Sequence, residues 1–221
     1  MAKAVIFDVD GTLLDSVDLH AHAWQDAFRE FGHDVPFGDI RRQIGKGGDQ
    51  LLPVFLDQAE LEAKGKALEE RRGKLFKERY LDRVRSFPGV RALFERLKVD
   101  GIERALASSA KKDELETYER IAGIEDLVSV QTSTDDAEKS KPSPDIFEAA
   151  LKRLHGVDPR QVIVVGDTPY DAEAAAKAGL RTVGVRCGGW SEAELRDAGC
   201  IAVYDDPADL LAQYARSPLA G

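Results

Sequence analysis

Short apolar, β-branched runs recur along the chain at Ala4 to Phe7, Ile102 to Ala107, Leu127 to Val130, Val162 to Val165 and Thr182 to Val185. Runs this short suit the strands of a sheet buried on both faces, and helical patterns separate them. The rhythm predicts an α/β fold, a Rossmann-like parallel sheet flanked by helices. Between the first two runs lies a long stretch, Ser16 to Arg85, with helical periodicity and no strand signal. It predicts an inserted α-helical cap domain over residues 16–85, with residues 1–15 and 86–221 forming the α/β core.

Inside the insertion, Val17, Ala21, Trp24, Phe28 and Phe31 fall on one face of a helix, and Gly32 suits its C-terminal turn. A second long helix is expected from about Gln58 to Val84, with Leu61, Leu68, Leu75 and Leu81 buried. Its dense Glu, Lys and Arg read as a solvated face. Phe87-Pro88-Gly89 breaks the pattern, and Val90, Leu93, Phe94 and Leu97 start a further amphipathic helix.

A chain of 221 residues, 43% hydrophobic and 32% charged, is long enough for a sizeable core. Its formal charge of −9 disfavours nucleic acid and anionic membrane surfaces as partners. No apolar run approaches the roughly 18 residues a membrane span needs. Asp8 and Asp10 interrupt the N-terminal apolar segment before a secretory region could form, so a cytoplasmic location is expected. Cys187 and Cys200 supply neither a disulfide framework nor a zinc site and read as reduced structural thiols.

Four polar clusters follow apolar strands: Asp8-Val9-Asp10-Gly11-Thr12, Ser108-Ser109, Lys141-Pro142 and Gly166-Asp167. In a parallel sheet these ends lie along one edge, where ligands bind, so the clusters should converge. Asp8 and Asp10, two apart in extended chain, point to the same side. One can serve as a nucleophile and the other as general acid and base, while turn formation by Asp-Gly-Thr is the competing explanation. Asp167 follows a buried run, where a bare carboxylate needs a cation, and with Asp8 it offers hard oxygen ligands for Mg²⁺. Asp171 stands where a capping box would place it, with Thr168 as N-cap and Pro169 after it. Ser108 and Ser109 either cap the helix that starts near Lys111 or hold a phosphoryl group there. Lys141, followed by the stiffening Pro142 and Pro144, is either a solvated loop lysine or the positioned cation that phosphoryl transfer requires.

Asp8-Val-Asp10-Gly-Thr12, Ser108, Lys141-Pro-Ser-Pro-Asp-Ile-Phe147 and Gly166-Asp-Thr-Pro-Tyr-Asp171 together resemble the four ordered motifs of the haloacid-dehalogenase-like (HAD) superfamily. The insertion is similar to the cap of its subfamily I, the group of phosphoglycolate phosphatases and β-phosphoglucomutases. The resemblance implies Asp8 as nucleophile, Asp10 as acid/base, and Ser108 and Lys141 as catalytic phosphate ligands. It implies Mg²⁺ held by Asp8, the Asp10 carbonyl and Asp167, with Asp171 in support. Thr12, Ser109, His20, Gly45 and Lys46 are the expected substrate-side residues.

Dehalogenases lack the second aspartate, so Asp10 argues against dehalogenation. The Schiff-base lysine of phosphonoacetaldehyde hydrolases would fall on Gly48. His20 and Trp24 match the first cap helix of β-phosphoglucomutases, yet Gly45-Lys46-Gly47-Gly48-Asp49 holds no cap arginine. The expectation is a Mg²⁺-dependent phosphatase acting on a small phosphorylated metabolite, such as a sugar phosphate or a phosphoglycolate-like acid, as a monomer or weak homodimer. The alternatives are a β-phosphoglucomutase-like phosphotransferase and a catalytically silent binding protein on the same fold.

Overall fold

The computed structural model describes residues 2–220. In chain order, strand β1 (Ala4–Phe7) and the short β2 (Leu14–Asp15) precede helices α1 (Val17–Glu30), α2 (Phe37–Arg41), α3 (Gly48–Leu51), α4 (Gln58–Glu60) and α5 (Lys66–Arg79). There follow β3 (Arg85–Ser86), α6 (Val90–Val99), β4 (Glu103–Ala107), α7 (Lys112–Ala122), β5 (Val130–Thr132), α8 (Asp145–Arg153) and β6 (Val162–Gly166). The chain ends with α9 (Pro169–Lys177), β7 (Arg181–Val185), α10 (Glu192–Asp197), β8 (Ala202–Tyr204) and α11 (Pro207–Ala212).

Six strands form one parallel sheet in the order β5-β4-β1-β6-β7-β8. Alternation along β1 explains the two apolar layers. Val5 and Phe7 face a cluster with Leu93 and Phe94 of α6 and Leu115 of α7, whereas Ala4 and Ile6 face Ile146 and Phe147 of α8 and Ala174 of α9. Both faces are covered, which is why every residue of β1 and β6 is buried. Phe7 pairs with Leu106 on one side and with Val165 on the other. That register brings Asp8, Ser108 and Asp167 to one sheet edge, where the chain order reverses across β1.

The helical elements between β2 and β3 carry an apolar cluster of their own. Val17, Ala21, Trp24 and Phe28 of α1 pack against Ile40, Leu51, Leu68 and Leu75. Each such fully buried side chain contributes about 1.5–3 kcal/mol. The opposite side of α1 joins the sheet cluster through Leu19 and Ala23, as does Phe76 of α5. A short antiparallel ribbon, β2 with β3, closes the neck of the insertion.

Three elements depart from the sequence pattern. The strand expected at Leu127 to Val130 is β5, which begins only at Val130. Leu127 and Val128 instead close a turn on the Ile124 carbonyl, so Leu127 is apolar because it is buried beneath that turn. The long helix expected to Val84 contains a π turn at Leu61–Gly65 and ends at Arg79, followed by a 3₁₀ turn at Leu81–Arg83. The extra residue of the π turn shifts the apolar face, leaving Leu61 half-buried while Leu68 and Leu75 are buried. The sixth strand of the sheet, β8, lies in the apolar run Cys200 to Tyr204, which was not among the expected strands, and its pairing with β7 defines it.

Candidate active site

Asp8 is the first residue beyond β1, its amide bonded to the Val165 carbonyl at 2.9 Å. Its carboxylate accepts from the Thr12 hydroxyl at 2.9 Å through Oδ2 and from the Lys141 ammonium at 2.5 Å through Oδ1. Lys141, 1% exposed, also donates to the Ala107 carbonyl at 3.3 Å and pairs with Asp171 at 2.7 Å. The ammonium thus donates to Asp8 and Ala107 and has Asp171 beside it as a second counter-charge. Asp171 caps α9 in a reciprocal box: its Oδ2 accepts from the Thr168 amide at 3.1 Å and hydroxyl at 2.6 Å. Both of its oxygens are therefore engaged, one by the cap and one by Lys141.

Asp167 accepts from the Thr12 hydroxyl at 3.1 Å through Oδ1, while its buried Oδ2 has no hydrogen-bond partner among the described residues. The backbone packs tightly round that oxygen. A Cβ on Gly188 would lie 1.6 Å from it, and one on Gly11, whose φ is +84°, 2.4 Å from it. Asp8, Asp167 and Asp171 each present an oxygen within 4.8 Å of the others.

Three carboxylates against one ammonium leave a formal charge of minus two, which a divalent cation cancels. Burial pushes the Asp8 carboxyl up to about 7, with Asp171 and Asp10 adding to the rise and Lys141 opposing it. Burial, Asp8 and Asp171 hold Asp167 well above the usual carboxylate range. Lys141 is raised although burial alone would lower it, because Asp171 and Asp8 face it. An orphaned buried carboxylate oxygen beside an aspartate cluster fits a hard cation such as Mg²⁺.

Asp10 is held from the helical side. Its Oδ1 accepts from the Ser16 hydroxyl at 2.6 Å and lies 2.9 Å from His20 Nε2. His20 stacks on Phe76 of α5, ring centroids 4.0 Å apart, with the Tyr118 hydroxyl 3.4 Å from the same nitrogen. Burial alone would raise the Asp10 carboxyl, but His20, Ser16 and Arg72 outweigh it and hold the group below its ordinary value. In the free protein Asp10 is therefore a carboxylate.

These residues border a cavity of about 610 Å³, lined by Asp8, Asp10, His20, Trp24, Ser108 and Ser109 on one side and by the 44–49 loop and α5 on the other. Ser108 is buried at the end of β4, and its hydroxyl accepts from the Ala110 amide at 3.1 Å, the local turn bond of a serine at such a position. The Ser109 carbonyl accepts from Thr134, so its strand-end loop is tied to the neighbouring one. Thr12 lies beneath the cavity, its hydroxyl shared between Asp8 and Asp167.

Gly45 has φ +107°, and a Cβ there would come within 2.9 Å of Thr168, so the loop rests on the N-cap of α9. Lys46 lines the cavity but donates to Gln43 at 2.6 Å and sits 4.5 Å from the centre of the Tyr170 ring. The same loop is pinned to the sheet side. Gly47 donates to the Ser140 hydroxyl at 2.9 Å, Asp49 accepts from the Ser140 amide at 3.1 Å, and Arg42 lies 3.6 Å over the Trp190 ring.

Ser16, Phe76, Ser140 and Arg72 were not marked by motif reading. Ser16 and Ser140 are ordinary loop serines in sequence. Arg72 did leave a signal: it falls between Leu68 and Leu75 on the buried stripe of α5, so the charge of that helix is not all solvated.

Among the described residues no helix is long and apolar enough to cross a membrane. A family profile for haloacid dehalogenase-like hydrolases matches residues 5–185. The phosphorylated carbohydrates phosphatase of Thermotoga maritima is 30% identical over 95% of this chain and 96% of its own length. The chloroplastic protein Suppressor of Quenching 1 of Arabidopsis thaliana is 34% identical over 92% of this chain, which spans only 20% of that larger protein. A crystal structure of a hydrolase from Pseudomonas syringae superposes with a TM-score of 0.89 at 29% identity, covering 97% of this chain and 98% of that one. With its parallel six-stranded sheet and its convergent strand-end aspartates, the chain belongs to the haloacid dehalogenase-like hydrolase family.

Proposed function

We propose that this protein is a Mg²⁺-dependent phosphatase of small phosphorylated metabolites, such as sugar phosphates or phosphoglycolate-like acids, working in the cytoplasm through a phosphorylated Asp8. The supporting observation is the buried Asp8, Asp167 and Asp171 cluster, which has Lys141 as its ammonium partner and meets the cavity at Asp8. Asp8 and Asp167, with the Asp10 carbonyl, would hold Mg²⁺, which supplies charge neutralisation for the nucleophile and the incoming phosphate. Residues 16–85 serve as the cap domain over a core of 1–15 and 86–221.

In the first step an Asp8 oxygen attacks phosphorus, the phosphorus to ester-oxygen bond breaks, and Asp10 gives its proton to the departing alcohol. In the second, water attacks phosphorus, the bond to Asp8 breaks, and Asp10 takes the water proton. Lys141 keeps Asp8 oriented throughout, and the Ser108 turn presents its neighbouring amides and hydroxyls to the phosphoryl oxygens. Both bonds from Ser16 and His20 fall on Oδ1 of Asp10, so Oδ2 serves the leaving group. Because those partners keep Asp10 ionised, the arriving phosphate dianion is what raises its proton affinity.

The test is inorganic phosphate release from a panel of phosphorylated metabolites, with and without Mg²⁺, for the wild type and Asp8→Asn. The expected result is Mg²⁺-dependent release that falls at least about 10³-fold in the variant. Isomerised sugar phosphate without matching phosphate would favour the phosphotransferase alternative, and turnover surviving Asp8→Asn would overturn the mechanism.

A further inference from the structure

Arg72 lines the cavity from α5. Of the other cations on that helix, Arg71 pairs with Glu30 at 2.5 Å and Lys77 with Asp113 at 2.9 Å, while Lys66 and Lys74 are exposed to water. The Arg72 Nε is buried and has no hydrogen-bond partner among the described residues. Its natural helical partner, Glu69, one turn earlier, is turned away: a Cβ added to Gly48 would meet the Glu69 carboxylate at 2.5 Å. Trp24 holds the guanidinium in place, 4.9 Å from the ring centre.

A guanidinium anchored on an aromatic ring, with a buried donor left bare, is ready for a planar oxyanion. Leaving that donor unmatched is costly, so the missing acceptor is to be sought in a ligand. Its position is also informative. Arg72 lines the cavity together with Asp10, His20 and Trp24, the leaving-group side, whereas the Lys141 cluster meets it only at Asp8. The group it meets therefore belongs to the part of the substrate that departs. Lys46, also at the cavity, already has Gln43 as a partner, and Lys66, Lys74 and Lys111 are solvent-exposed.

We propose that Arg72 determines specificity by binding a second oxyanion, a carboxylate or a second phosphate, on the leaving portion of the substrate. This rests on the phosphatase reading above and narrows its substrate class to doubly anionic monoesters. The test compares wild type, Arg72→Lys and Arg72→Met on three probes. These are p-nitrophenyl phosphate, which has no second anion, phosphoglycolate, which has a carboxylate, and glucose 1,6-bisphosphate, which has a second phosphate.

Arg72→Met is expected to lower kcat/KM for one doubly anionic probe about 30-fold more than for p-nitrophenyl phosphate, mostly through KM, the size of one charge-assisted contact. Arg72→Lys should restore part of the difference, and the probe that responds identifies carboxylate or phosphate. An equal loss on all three probes would overturn the proposal, since a structural role predicts that. So would a wild type that prefers p-nitrophenyl phosphate to both others.

Failure of the underlying phosphatase reading shows separately, as no phosphate release from any probe by the wild type. In that event calorimetric titration of the unmodified chain with phosphoglycolate and with glucose 1,6-bisphosphate decides. Binding weakened about 30-fold by Arg72→Met sustains the oxyanion site, and binding that is absent or unchanged removes it.

Discussion

On the sheet side of the cavity, Asp8, Lys141, Asp167 and Asp171 are buried and hold one another, so each side chain has little freedom. On the helical side, Lys46 and Arg72 are half-buried and Glu69 and Glu70 exposed, carried by a loop and by one face of α5. The sheet side suits chemistry that tolerates no displacement, because strand ends in register set the distances. The helical side suits discrimination among substrates, because its side chains can change without disturbing the buried charges. The difference also locates the strain. Like charges are concentrated where the side chains are most buried, and the cation-rich wall carries the bare donor.

If the sheet side is a balanced charge cluster, removing its ammonium should cost more than an ordinary core truncation. Lys141→Met is expected to destabilise by about 4 kcal/mol in urea unfolding near neutral pH, because buried carboxylates lose their counter-charge. The sign of its pH dependence follows from the raised carboxyl of Asp8. A group whose folded pKa lies above its unfolded one loses its stabilising contribution as pH rises, so the cost should be larger at pH 8 than at pH 5. A cost that does not grow with pH would break the charge-cluster side of the comparison.

The helical side rests on apolar packing. Leu75→Ala, at a fully buried position between α5 and α1, is expected to cost about 3 kcal/mol at every pH between 5 and 8. A strong pH dependence in this variant would show that the two sides are not built on separate terms.

The smallest effect sharpens the comparison with a buried acid outside the cluster, whose raised carboxyl owes most to burial and less to the neighbouring Glu116 and Glu125. Glu119 on α7 is 5% exposed, its Oε1 has no partner among the described residues, and burial pushes its carboxyl up to about 7. Its contribution is present below the unfolded value near 4.5 and is lost as pH rises through 7. Glu119→Gln should therefore raise Tm by about 3 °C at pH 8 and change it little at pH 5. Equal shifts at both pH values would contradict this.

The α/β alternation was readable because strands buried on both faces are short and mostly apolar, and β1, β4, β6 and β7 lie within one residue of their runs. The Asp8 and Asp167 positions were readable because both carboxylates stand at the ends of such runs, where a parallel sheet gathers its ligands. What spacing could not supply were relations across the chain. That Leu127 is apolar under a turn and not in a strand depends on its closing onto Ile124 and Arg104. That the Lys141 ammonium is surrounded by Asp8, Asp171 and Ala107 depends on four segments meeting at one sheet edge. Whether a charged residue on α5 is solvated or turned inward depends on the Trp24 ring opposite it. Periodicity is a property of one segment and is set by backbone geometry, so the chain order carries it. Pairing of charges and the partner of an orphaned donor are properties of two or more segments, and only their packing decides them.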